Sequence, residues 1–256
     1  MSPTKVAVIG CGQIATAQHL PAFREAAQAG VCSLVGVCDL EPNRLSRAGR
    51  QFDIAGFQDA EAMLEKTKPD VVSIATLPSS HRDLTVMCLE AGCHVLCEKP
   101  VAMDAGEARD MVRAAETNSR LLSICFEYRT WDESRYLRAR IAEGVLGHVH
   151  AVRTWGGCAY GLPGIAYSPR GLTGGGVLAH WTIHNLDLVL WLLGNPEPLT
   201  ASAFCHKLAP EPGGLAVWTV PNFAALDSIA TELDEPDIPI TLTAAGTYTD
   251  FGSEIL

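Results

Sequence analysis

The chain has 256 residues, 48% of them apolar and only 19% charged, which provides ample material for a hydrophobic core and excludes an intrinsically disordered protein. Its formal net charge of −10 argues against nucleic-acid or anionic-membrane partners, because phosphate binding requires local positive charge. No apolar run reaches transmembrane length and no signal-peptide pattern precedes the first strand; the nine cysteines, scattered without C-x-x-C or zinc-ligand spacing, read as reduced thiols in a cytoplasmic protein.

The first predicted strand is a β-branched run, with Val6, Val8 and Ile9 buried, that breaks at Gly10 and Gly12. Two glycines let the backbone turn and approach a ligand closely, and Ala15 takes the third small position of a dinucleotide fingerprint. The helix that opens at Gln13 and Ile14 then aims its N-terminus at a pyrophosphate. The loop alone is weak evidence, since glycine pairs also end strands for structural reasons; it gains weight from the helix Gln18 to Ala29 and a second strand, Cys32 to Cys38, ending in Asp39. An acid there is placed to accept hydrogen bonds from an adenosine ribose, and Leu40, Glu41 and Pro42 follow instead of a base. NAD is therefore favoured over NADP. The structural alternative for Asp39 is a helix cap before Pro42.

Strand and helix continue to alternate. Helices are predicted over Pro42 to Phe52, over Ala60 to Thr67 capped by Asp59, over Arg82 to Ala91 ended by Gly92, and from the Asp104/Glu107 capping box to Ser119. Strands are predicted over Asp70 to Ala75, His94 to Cys97 and Leu121 to Cys125. Such alternation means an α/β fold, a Rossmann-type doubly wound parallel sheet that binds ligands outside the carboxyl ends of its strands. Three of those ends carry polar residues able to reach one crevice: Thr76 to His81 with Pro78 between them, Glu98-Lys99-Pro100, and Glu127-Tyr128-Arg129. Lys99, directly after a buried strand, has few structural uses beyond an exposed loop position, and a partly desolvated ammonium there is tunable.

The pattern changes after a helix from Glu133 to Glu143. His148 to Trp155 alternates with period two, as an antiparallel strand with one wetted face does. A glycine- and proline-rich loop leads to Gly176, and Val177 to Leu193 is a helix carrying His180, His184 and Asp187, ended by Gly194-Asn195-Pro196. Leu199 to Phe204, Leu215 to Val220 and Ile240 to Ala244 look strand-like, while Phe223, Leu226, Ile229 and Leu233 recur at helical spacing. The boundary falls near Arg129, giving a dinucleotide-binding domain over 1–128 and a smaller α+β substrate and oligomerisation domain over 129–256.

Taken in order, the glycine loop, Asp39, Thr76-x-Pro78-x-x-His81, Glu98-Lys99-Pro100 and Gly174-Gly175-Gly176-x-x-x-His180-x-x-x-His184-x-x-Asp187 resemble the glucose–fructose oxidoreductase / inositol dehydrogenase / rhizopine catabolism (Gfo/Idh/MocA) family. The resemblance implies NAD or NADP on the first domain and a second domain with a mostly antiparallel sheet that walls the substrate pocket. By the same resemblance Gly10, Gly12, Gln13, Ile14, Asp39, Thr76, Pro78, His81, Glu98 and Lys99 bind cofactor. Lys99 would hold or protonate the oxygen at the reacting carbon, His184 would be the general acid/base, and Arg129 and His180 would join it around substrate. The chain departs from the family at His180, where an acid is usual, and at an end that is short or rebuilt and invites a partner subunit, hence a homo-oligomer.

The function implied is an NAD-dependent dehydrogenase acting on a secondary alcohol of a sugar, polyol or related small molecule, with no resident metal. The alternative is a non-catalytic NAD(H)-binding sensor or scaffold protein. A third reading, a metal-assisted hydrolase on His180, His184 and Asp187, rests on their sharing one helix face.

Overall fold

The computed structural model describes residues 3–154, 178–206 and 241–247. The chain divides into two compact units, 1–125 and 126–256.

In the first unit six parallel strands run in the order β3-β2-β1-β4-β5-β6: β1 (Thr4–Ile9), β2 (Cys32–Cys38), β3 (Gly56–Phe57), β4 (Val71–Ile74), β5 (His94–Cys97) and β6 (Leu122–Ile124). The order reverses direction between β1 and β4, which opens a crevice at the carboxyl ends of these two strands. The apolar run in β1 is continuous because both faces are covered. Ala7 and Ile9 belong to a core with α3 (Ala60–Thr67), α4 (His81–Glu90) and α5 (Ala105–Thr117), while Val8 packs with α1 (Leu20–Gln28) and α2 (Pro42–Phe52) on the other face.

Local signals set the element ends. Asp59 accepts from the Ala62 N–H at 2.7 Å. Asp104 accepts from the Glu107 N–H at 2.9 Å, and the Glu107 carboxylate reaches back to the Met103 N–H at 3.0 Å. The two-residue strand β3 escapes a reading by periodicity because it is shorter than one alternation. Among the described residues no cysteine forms a disulfide, and burial pushes the Cys11, Cys88 and Cys97 thiols up to about 12 and Cys38 to about 11. These thiols are neutral and pack as small apolar groups.

The second unit contains a 3₁₀ turn (Glu127–Thr130), α6 (Asp132–Ala142), a π-helical turn (Leu178–Thr182) that leads into α7 (Ile183–Leu192), and the paired strands β7 (Thr200–His206) and β8 (Thr241–Thr247). One expectation changes here. Residues 148–154 are not a strand: all but Val149 are exposed, and no described strand pairs with them. Alternation specifies a face but supplies no neighbouring edge. The described pair β7–β8 is parallel, and the other strand expected in the mostly antiparallel sheet lies outside the described residues. The separating stretch 207–240 exceeds the roughly dozen residues a parallel crossover requires. The expected strand Leu215 to Val220 and the helical spacing from Phe223 to Leu233 lie outside the described residues, as does the triple glycine.

Candidate functional site

The loop after β1 is held from two sides. Gly10 donates its N–H to the Cys38 carbonyl at 2.7 Å and sits at φ +97°, and a Cβ built on it would lie 2.5 Å from the Ala75 carbonyl oxygen. Only glycine fits there. A Cβ on Gly12 would meet nothing within 4 Å, so the loop is open on the side where a ligand would approach. The following turn has no side-chain cap at Ile14, which is 42% exposed, and Gln13 is exposed as well. These features fit a pyrophosphate at a helix N-terminus. Gly10→Ala is expected to destabilise the first unit by about 3 kcal/mol and to remove nucleotide binding, read by denaturant unfolding and calorimetry; a variant of unchanged stability would refute the steric argument.

Asp39 closes the loop. Its Oδ2 accepts from the Cys11 N–H at 2.7 Å and its Oδ1 from the Glu41 N–H at 2.8 Å. It is not the cap of α2: Glu41 is, accepting from the Asn43 and Arg44 N–H groups at 2.9 and 2.8 Å, contacts that lower its carboxyl pKa. Asp39 therefore ties the end of β2 to the glycine loop and retains lone pairs for a ribose.

The loop after β4 and the turn after β5 are clamped together by His81. The ring is completely buried, with Nδ1 2.9 Å from the Pro100 carbonyl and Nε2 3.3 Å from that of Thr76. It has no surface to present to a cofactor, so its place in the site is to position Thr76 and Pro100. Pro78 is buried as well, at the start of a 3₁₀ turn, while Thr76 is half-buried and accepts from the Ser80 hydroxyl at 2.8 Å.

Glu98 is 9% exposed at the end of β5, with Oε1 2.9 Å from His19 Nε2 and Oε2 accepting the Lys99 N–H at 3.1 Å. The other His19 nitrogen, Nδ1, lies 2.8 Å from Ser73 Oγ on β4. His19 escaped the sequence reading, although a histidine within a small, apolar helix just beyond a nucleotide loop is a detectable signal. Its ring is brought in by a π-helical turn, Ala15–His19, that shifts the register of the helix.

Acid sensitivity follows. Burial alone would raise the Glu98 carboxyl, but the hydrogen bond and charge of His19, with the Lys99 N–H and ammonium, outweigh it and hold it below its ordinary 4.5. Burial lowers His81 below 6.5 despite its two carbonyl neighbours. The stability that ionised Glu98 contributes is complete above 4.5 and is lost as pH falls through its lower folded value. His81 adds an earlier decline below 6.5, where the unfolded chain takes up a proton that the buried ring resists. A pH series of thermal unfolding should show Tm falling from about pH 6.5 downward, with Glu98→Gln flattening the limb below about 4.5. A flat profile would contradict both assignments.

In the second unit the buried polar residues of α7 face the turn that bears Glu127 to Arg129. His184 is 5% exposed, stacks on Tyr128 with ring centroids 4.8 Å apart, and has Nδ1 3.5 Å from Glu127 Oε2. Asp187 accepts from both prongs of Arg129, Nε at 2.7 Å and a second, shorter contact from the far guanidinium nitrogen. That pairing occupies the carboxylate the hydrolase reading needed as a ligand, and it makes Asp187 the partner of Arg129. His180 lies in the turn before α7, and its side chain is outside the described residues.

A parallel sheet of this order, with a glycine loop after β1 and an acid after β2, defines a dinucleotide-binding unit of the Rossmann type. The model described as "Oxidoreductase family, NAD-binding Rossmann fold" matches residues 4–126, and that of the GFO/IDH/MocA C-terminal domain matches 134–234; the chain belongs to the Gfo/Idh/MocA family. It is 33% identical to D-glucoside 3-dehydrogenase of Escherichia coli K12 over 233 residues, 89% of this chain and 66% of that protein. To D-apiose dehydrogenase of Paraburkholderia graminis it is 31% identical over 77% of this chain and 52% of that protein. The chain thus spans between half and two thirds of the length of these relatives. The fold is similar to the WlbA dehydrogenase of Bordetella pertussis, solved with NADH and UDP-GlcNAcA, at a TM-score of 0.66 and 22% identity over 75% of this chain and 58% of that one. Among the described residues no helix is long and apolar enough to cross a membrane.

Proposed function

We propose that the chain is an NAD-dependent oxidoreductase that moves a hydride between nicotinamide and a secondary alcohol or carbonyl of a sugar, polyol or related small molecule. The observation that carries this reading is the Gly10-x-Gly12 loop, tied to Asp39 and open at Gly12, on the same sheet edge as the Glu98-Lys99 turn. The names of the two sugar-dehydrogenase relatives support the substrate class. Bound nicotinamide supplies the hydride acceptor. Lys99 would hold the substrate oxygen and His184 would take the hydroxyl proton; within the second unit Asp187 holds Arg129 in place. The exposed Tyr136, Leu137, Val145 and Leu146 of the second unit support a homo-oligomer, which a monomeric mass by light scattering would exclude.

Steady-state NADH absorbance across a panel of sugars and polyols tests the activity. NAD(H) binding without turnover on any of them would favour the sensor reading instead. The preference for NAD rests on Asp39, with Glu41 two residues on and the 85% exposed Leu40 where a base would bind a 2′-phosphate. Asp39→Ala is expected to raise the NADP-to-NAD ratio of kcat/KM by about tenfold or more, because it removes like-charge repulsion. An unchanged ratio would place the discrimination elsewhere.

A further inference from the structure

We propose that His19, Glu98 and Cys125 form a site for one divalent ion of the zinc class, beside the Lys99 turn. One ligand atom from each lies within 4.8 Å of the other two. The three residues come from the turn after the glycine loop, the end of β5 and the end of β6, so the parallel sheet itself gathers them at its carboxyl edge. They supply nitrogen, oxygen and sulfur, the donor set zinc accepts.

The surrounding contacts are those a ligand set requires. Ser73 Oγ holds the far nitrogen of His19 at 2.8 Å and leaves Nε2 toward the cluster. The Lys99 N–H holds Glu98 Oε2 at 3.1 Å and leaves Oε1 toward the same point. Partners on the distal atom of a metal ligand fix its tautomer and orientation. Metal–ligand bonds of about 2.0–2.3 Å set tetrahedral ligand–ligand separations of about 3.3–3.8 Å. Reaching them from 2.9 Å between Nε2 and Oε1, and from at most 4.8 Å elsewhere, requires side-chain rotation of about 1 Å. Binding breaks the S–H bond and releases its proton to solvent; the Nε2–H that donates to Glu98 Oε1 is given up as well, and the imidazole keeps its proton on Nδ1, toward Ser73 Oγ. Thiolate and carboxylate then balance the two positive charges, and water takes the fourth position. Cys125 is half-buried, which leaves a path for the ion, whereas Cys11, Cys32, Cys38, Cys88, Cys93 and Cys97 are buried.

The test is titration of chelator-treated full chain with cobalt(II), then zinc. One cobalt per chain is expected, with a thiolate-to-metal absorption band that zinc abolishes by displacement. Cys125→Ser should lose the band, His19→Ala should weaken uptake by about 10-fold or more, and Cys32→Ser should change neither. Zinc should raise the Tm of the parent chain and not that of Cys125→Ala, the second variant should serine disturb folding. A band that persists in Cys125→Ser, or no uptake at micromolar cobalt, overturns the proposal. Because the readout is cobalt absorption and not NADH formation, its failure leaves the oxidoreductase reading standing.

Discussion

Lys99→Ala is expected to lower turnover by about 10²- to 10⁴-fold while NAD affinity changes little, since general acid–base and oxygen-holding groups contribute on that scale. Lys99 follows a strand buried on one face and half-buried on the other and is half-buried itself, its backbone N–H held by a carboxylate that is kept ionised. An ammonium in such a place is a point charge whose proton can be released, and a guanidinium is not. Lys99→Arg should therefore fail to restore turnover even though it keeps the charge. Glu98→Gln, which leaves an acceptor for the Lys99 N–H but removes the negative charge, should fall between the parent and Lys99→Ala. Full turnover in Lys99→Ala, on a substrate identified with the parent chain, would remove Lys99 from the mechanism.

The first unit was legible in the sequence because its signals are local. Glycines end strands, Asp59 and Asp104 cap helices within three residues, and strands covered on both faces give continuous apolar runs. What escaped is what depends on distance along the chain. His19 meets Ser73 and Glu98 across 54 and 79 residues, and a π-helical turn that nothing in the composition announces sets its direction. His81 was legible as a site residue, but its complete burial, which turns it from a cofactor contact into a clamp, shows only once the loops are folded. In the second unit the helix of His184 and Asp187 was legible from its apolar spacing. Its buried positions nonetheless include the two polar residues, because Arg129, 58 positions away, neutralises Asp187. Residues 148–154 mark the same limit: alternation states which side chains share a face, and pairing depends on a strand elsewhere.

His184→Ala is expected to lower turnover by about 10²- to 10³-fold, with imidazole in solution restoring part of the activity. The ring is nearly buried, stacked on Tyr128, and its Nδ1 faces the Glu127 carboxylate, so its freedom to rotate is small and the far nitrogen is directed by these two contacts. Asp187 lies one turn away on the same helix, but both its oxygens are taken by Arg129. Asp187→Asn therefore tests a different link. It weakens a pair whose acid is buried and whose arginine side chain is 38% exposed, and should cost about 2 kcal/mol of stability, less than a fully buried pair would. Its effect on turnover should come through a displaced Arg129 and appear mainly in KM, with no rescue by imidazole. If His184→Ala kept full turnover, the proton would have to leave through another group, and Glu127, 3.5 Å from the ring, would be the next to test.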